Sequence, residues 1–140
     1  MNFLSAEQDK LDMMLTQMGA QVKTINGLLC FVRFKIKDVE LFYVYNINAK
    51  NQYYLQKVLP YPVGAGVFNS PDDIVSYIQN DINKFINASE KDSFELFLHT
   101  NSVLHSTIHK MENTFFEFDL STEQLNSILQ KLIKINDVLG

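Results

Sequence analysis

Apolar residues return along this chain at two different spacings, and each change of spacing marks a new element. In "SAEQDKLDMMLTQMGAQV", Leu11, Met14, Leu15 and Met18 recur at i, i+3, i+4 and i+7, one face of a helix. Ser5 with Gln8 three residues on has the form of a capping box. Gly19 stands where a left-handed C-terminal stop is wanted. A first helix is predicted, with its methionine-rich stripe in the core, where methionine fills irregular gaps.

From Gln21 the period falls to two. Asn26-Gly27 is a strong short hairpin signal, and Lys37-Asp38 and residues 48–51 mark two further reversals. Four antiparallel strands are predicted, near 21–25, 28–36, 39–47 and 53–59. A tight turn at Lys37-Asp38 sets Ile36 opposite Val39, Phe34 opposite Leu41 and Val32 opposite Tyr43. The same register sets Lys35 opposite Glu40, a favourable cross-strand pair.

"VGAGVFNSPDDIVSYIQNDINKFIN" reads as a flexible connector containing Gly64 and Gly66, then a second helix. Ser70 is the expected N-cap, Pro71 suits the first turn, and Asp72 and Asp73 complement the positive helix end. Ile74, Val75, Ile78, Ile82, Phe85 and Ile86 form its apolar stripe. A phosphate at this helix end would meet the two aspartates, and no lysine follows the glycines.

Residues 92–111, "DSFELFLHTNSVLHSTIHKM", hold all three histidines and admit two readings. A helix would carry Ser, Thr, Asn, Val and Ile through its middle, all mediocre helix formers. Strands would alternate Phe94, Leu96 and Leu98 with Glu95, Phe97 and His99. The strand reading is preferred, with a further strand at "TFFEFDL". The chain then closes with a helix capped by Ser121 and Gln124 and striped by Leu125, Ile128, Leu129, Leu132 and Ile135. The expected fold is α+β: N-terminal helix, four-stranded antiparallel β-meander, helix, two to three further antiparallel strands and C-terminal helix, in a single domain over residues 1–140.

Composition narrows the function classes. At 140 residues and 46% hydrophobic, one core is expected. No apolar run approaches the roughly 18 residues of a membrane span, and the N-terminus lacks the pattern of a secretion signal. A net charge of −4 without a basic stripe argues against nucleic acid. A single cysteine, Cys30, suits a reducing, cytoplasmic setting.

Candidate chemistry is sparse. In the strand reading, a loop at residues 101–103 would set His99 beside His105 and Glu95 beside His109, with Glu117 joining from the next strand. Histidine with carboxylate is a ligand set for zinc or nickel. On a helix, His105, His109 and Glu112 would share a face instead. The plainer reading is polar residues on the wet face of a sheet, so no metal or cofactor is assigned. Cys30 shares its strand face with Val32 and Phe34, as a small buried hydrophobe would. No acid/base pair is evident, and no enzymatic activity is expected.

A helix leading into a meander that ends in "VLPYPV", a capped helix, a hairpin of the "FELFLHT" kind and a C-terminal helix opened by "STEQLNSIL" resembles the YbjN-like proteins. More distantly, it is similar to the class I type III secretion chaperones. The resemblance covers nearly the whole chain, with an extra strand between the second and third helices as a departure. It implies a small, non-enzymatic, usually dimeric cytosolic protein that binds other polypeptides or modulates regulation.

The meander carries one further signal. With Val32, Phe34, Leu41 and Tyr43 turned toward the helices, Leu29, Phe31, Phe42 and Val44 fall on the opposite face. A sheet with one wet side shows polar residues there, so this face calls for a second cover: a helix of this chain, a second copy, or a bound peptide. These four residues are the expected partner-binding surface of a homodimeric, chaperone-like or regulatory module. An immunity-type protein masking a toxin is the alternative within that class, acting through acidic Asp72, Asp73 and Glu90. A small metal-binding protein using His99, His105 and His109 is the alternative outside it.

Overall fold

The computed structural model describes residues 3–22, 27–48 and 50–140, with four helices and one four-stranded antiparallel sheet among them. Two compact units divide the chain: Met1–Ser89 holds α1, the sheet and α2, and Glu90–Gly140 holds α3 and α4.

In the first unit, α1 (Phe3–Gln17) begins two residues before Ser5, so the capping box expected at Ser5 is not its start. Its end follows the sequence. Gly19 takes φ +95°, with its N–H donating to the Thr16 carbonyl and the Ala20 N–H to the Leu15 carbonyl, the paired bonds of a left-handed helix stop. The expected burial of its stripe is overturned, since Leu11, Met14, Leu15 and Met18 all stay exposed. Helical spacing predicts that one face will be apolar; it does not supply the surface that covers that face.

Strands β1 (Gly27–Ile36), β2 (Val39–Asn48), β3 (Tyr53–Leu59) and β4 (Val63–Phe68) are ordered β1-β2-β3-β4. The β1–β2 register is the one read from the sequence: Ile36 faces Val39, Lys35 Glu40, Phe34 Leu41 and Val32 Tyr43. Lys37 takes the positive φ, 53°, that a two-residue turn needs. The strand expected near 21–25 and its turn at Asn26 fall chiefly on residues 23–26, outside the described residues. The connector expected at "VGAGVF" is instead the edge strand β4. Pairing with β3 satisfies its backbone, and Gly66, at φ +101°, sits where the β3–β4 register shifts, a place for glycine in a strand.

Helix α2 (Pro71–Ser89) lies across the inner face of the sheet. Ser70 Oγ accepts a hydrogen bond from the Asp73 N–H at 3.2 Å, the expected cap. At the other end, Lys37 Nζ donates to the Ser89 carbonyl at 3.1 Å, holding the β1–β2 turn to the helix C-terminus. Ile74, Ile78 and Phe85 of α2 are buried, as are Ile36, Leu41, Tyr43 and Leu55 of the sheet. Val75 and Ile86, expected in the same stripe, stay exposed at its margins.

The second unit corrects the strand reading of residues 94–118. That whole stretch is one helix, α3 (Phe94–Phe118). The Ser, Thr and Asn side chains counted against a helix bond into it: Thr100 donates to the Leu96 carbonyl, Asn101 to Phe97, Thr107 to Val103 and Thr114 to Lys110. A polar side chain that finds a carbonyl one turn back loses much of its reason to leave the helix. The hairpin that the family resemblance placed at "FELFLHT" is therefore absent. Helix α4 (Thr122–Leu139) follows residues 119–121, and its capping box is as expected. Ser121 Oγ accepts from the Gln124 N–H at 3.1 Å, and Gln124 Oε1 accepts from the Ser121 N–H at 2.9 Å.

Candidate functional site

Because side chains alternate along a strand, the register of β1 and β2 decides what the outer face of the sheet carries. Phe31 pairs with Val44, Arg33 with Phe42 and Leu29 with Asn46, so Leu29, Phe31, Phe42 and Val44 share the face away from α2. Phe31 and Leu29 are 62% and 58% exposed, while Phe42 and Val44 are half-buried. The Phe31 and Phe42 rings stack with centroids 5.7 Å apart. The Arg33 guanidinium lies 4.8 Å from the Phe42 centroid, and Arg33 Nε is 3.7 Å from a Glu40 carboxylate oxygen. Tyr54, Leu59 and Val67 of β3 and β4 extend the exposed apolar surface. A depression of about 320 Å³ opens at one end of this face, where Leu29, Asn46 and Tyr54 are among its walls.

The inner face holds a polar network that sequence reading did not find. Lys57 of β3 is buried, with its Nζ 3.3 Å from Asp81 Oδ2 on α2. Tyr43 is fully buried and its hydroxyl donates to the same oxygen at 2.6 Å. The ammonium also lies 4.8 Å from the Tyr61 ring centroid and 4.7 Å from that of Phe85, a cation held between two aromatic faces. Burial and the bond to Asp81 push the Tyr43 hydroxyl well above the usual tyrosine range. Burial, with the Asp81 charge behind it, raises Tyr61 and Tyr77 as well. This arrangement locks α2 onto the sheet. Two signals point to it in the sequence: Asp81 interrupts the stripe between Ile78 and Phe85, and Lys57 alternates in phase with Leu55.

The histidine cluster expected from strands is not formed. On α3, His105 and His109 lie one turn apart, but Glu95 and His109 are separated by about 21 Å of helix rise. His99, six residues before His105, is on a different face. Among the described residues, no group of three or more His, Cys, Asp or Glu is placed to hold a metal ion. Cys30 is half-buried opposite Tyr45 on the inner face. Asp72 and Asp73 stand exposed on the first turn of α2, and Glu90 is exposed at the start of the second unit.

No described helix is long and apolar enough to cross a membrane. Comparison with known proteins returned no matching family model, no matching curated protein and no matching solved structure. The chain's own geometry therefore carries the functional argument.

Proposed function

We propose that this chain is a non-enzymatic, chaperone-like or regulatory protein-binding module. It works as a homodimer and buries apolar segments of a protein partner against the outer face of its sheet. The observation behind this reading is Phe31, exposed with Leu29 on the face away from α2 and stacked on the half-buried Phe42. Aromatic side chains give large contact area with few rotatable bonds, and Arg33 and Glu40 beside them form a polar rim, as at docking surfaces. The resemblance to YbjN-like proteins and secretion chaperones, less the hairpin that α3 replaces, implies the same kind of role.

The test is a titration followed by fluorescence anisotropy. The probe is a labelled extended peptide of alternating valine and threonine with a lysine at each end. The wild-type chain should bind it, and Phe31→Glu should weaken binding by about tenfold or more. Absence of binding by the wild type, or equal binding by Phe31→Glu, overturns the reading. Phe31 is exposed, so its substitution leaves the fold intact.

A further inference from the structure

The helical hairpin α3–α4 has an apolar seam without a cover. Leu104, Ile108, Met111, Phe115 and Phe118 on α3 follow one another at spacings of four, three, four and three residues. On α4, Leu125, Ile128, Leu132, Ile135 and Leu139 repeat at three, four, three and four. Both are strict seven-residue repeats, the spacing that keeps a seam facing partner helices in a left-handed bundle. A globular amphipathic helix has no need of such regularity.

Neither seam is buried. Leu104 is 47% exposed, Ile108 50% and Leu132 42%, and α4 has no buried residue. Residues of both helices, Leu104, Ile108, Met111, Ile128 and Leu132 among them, line one open groove of about 280 Å³. Half-exposure is what one neighbouring helix leaves; a seam residue in a four-helix core has neighbours on both sides.

We infer that the α3–α4 hairpin pairs with the same hairpin of a second copy to form a four-helix bundle, whose core takes Leu104, Ile108, Met111, Ile128 and Leu132. This deepens the proposed function and rests on its homodimer, assigning the dimer contact to the hairpin and leaving the sheet face for the partner. Three observations select a second copy. First, a two-fold axis brings to the groove two helices with the same seven-residue repeat, whereas α1, with 15 residues, would supply one without it.

Second, the size fits. The 18 residues of α4 at 1.5 Å each, across two helix widths, give a flat face on the order of 500 Å². Side-chain relief adds to that and brings it toward the roughly 800 Å² per partner of a stable interface. Third, Glu112 follows the seam residue Met111 on α3, and Lys131 precedes the seam residue Leu132 on α4. They are flanking positions of opposite sign, so α3 of one copy set against α4 of the other brings unlike charges together.

Sedimentation equilibrium of the full chain between about 1 and 50 μM, which spans association free energies of about 6 to 8 kcal/mol, tests the assignment. At the upper end the wild type should give twice the 16.2 kDa chain mass. Leu104→Glu with Ile108→Glu should give the chain mass, and Phe42→Glu should remain a dimer. Hydrogen exchange of the wild-type chain at the two ends of that range guards against misfolding of the double variant: residues 104–111 and 128–135 should exchange more slowly at the higher concentration. A wild-type monomer, a dimer broken by Phe42→Glu and kept by the double variant, or concentration-independent exchange in both segments overturns the inference. Loss of peptide binding with the dimer intact would instead count against the sheet face alone.

Discussion

The two units solve the same packing problem to different degrees. In Met1–Ser89, the inner face of the sheet and the stripe of α2 meet and cover each other, with Leu41 and Tyr43 fully buried. That core is closed enough to hold a charge, because Lys57 is buried against Asp81 with aromatic rings beside it. In Glu90–Gly140, two amphipathic helices leave their seams half exposed. A pleated sheet and one helix can bury one face each and stop. Two helices cannot, since each touches the other along a single line. The first unit thus closes a core between α2 and the sheet, and the second leaves its apolar seams open.

The sharpest way to break this comparison is to disturb the closed core. Asp81→Ala strands the Lys57 ammonium and the Tyr43 hydroxyl in a low-dielectric site, which should cost about 3–5 kcal/mol of unfolding free energy in urea titration. Lys57→Met and Tyr43→Phe combined with Asp81→Leu should recover most of it, because no polar group is then left without a partner there.

A smaller but more direct contrast comes from matched truncations, measured by thermal unfolding at submicromolar protein concentration. Leu41→Ala leaves a cavity and should cost about 2–5 kcal/mol. Leu132→Ala, at a half-exposed position of the open seam, should cost less than about 1 kcal/mol under the same conditions. Equal losses would mean that the seam is already covered.

Alkaline pH separates the units further. The folded-state pKa of Tyr43 lies above its unfolded value of about 10. Its contribution is therefore fully present below pH 10 and declines as pH rises above it. The slope should approach about 1.4 kcal/mol per pH unit for this one group, with Tyr61 and Tyr77 acting in the same direction. Tyr43→Phe should flatten the slope in urea unfolding followed between pH 9.5 and 11.

The smallest effect concerns the start of α4. Ser121→Ala removes the acceptor for the Gln124 N–H and should lower stability by about 1 kcal/mol, seen as faster hydrogen exchange confined to the first turn of that helix.

Parts of this molecule were legible in the sequence because they depend on neighbours a few residues apart. Ser70 ahead of Pro71 and Ser121 with Gln124 are caps formed within three residues, and both stand as read. The tight turn at Lys37-Asp38 set the whole β1–β2 register, and with it the composition of the outer face.

Residues 94–118 read as strands when average helix propensities carry the most weight. The alternation at "FELFL" masks the repeat of Leu104, Ile108, Met111, Phe115 and Phe118 at period 3.5, and the side chains counted as helix breakers find carbonyls within the helix itself. The strand β4 was missed because glycine weakens a strand in isolation, whereas pairing along β3 restores it. The histidine face disappeared with the strands that were to assemble it.

By itself, the sequence determined which side chains of β1 and β2 share a face, where α2 and α4 start and α1 stops, and how β1 registers on β2, since each follows from backbone geometry over a few residues. Only the tertiary structure decided which of those faces are covered. Lys57 and Asp81, 24 positions apart, meet because α2 crosses β3, and Leu41 is buried while Phe31 is not because α2 lies on one side of the sheet. Burial depends on what arrives from elsewhere in the chain, and local spacing carries no record of that arrival.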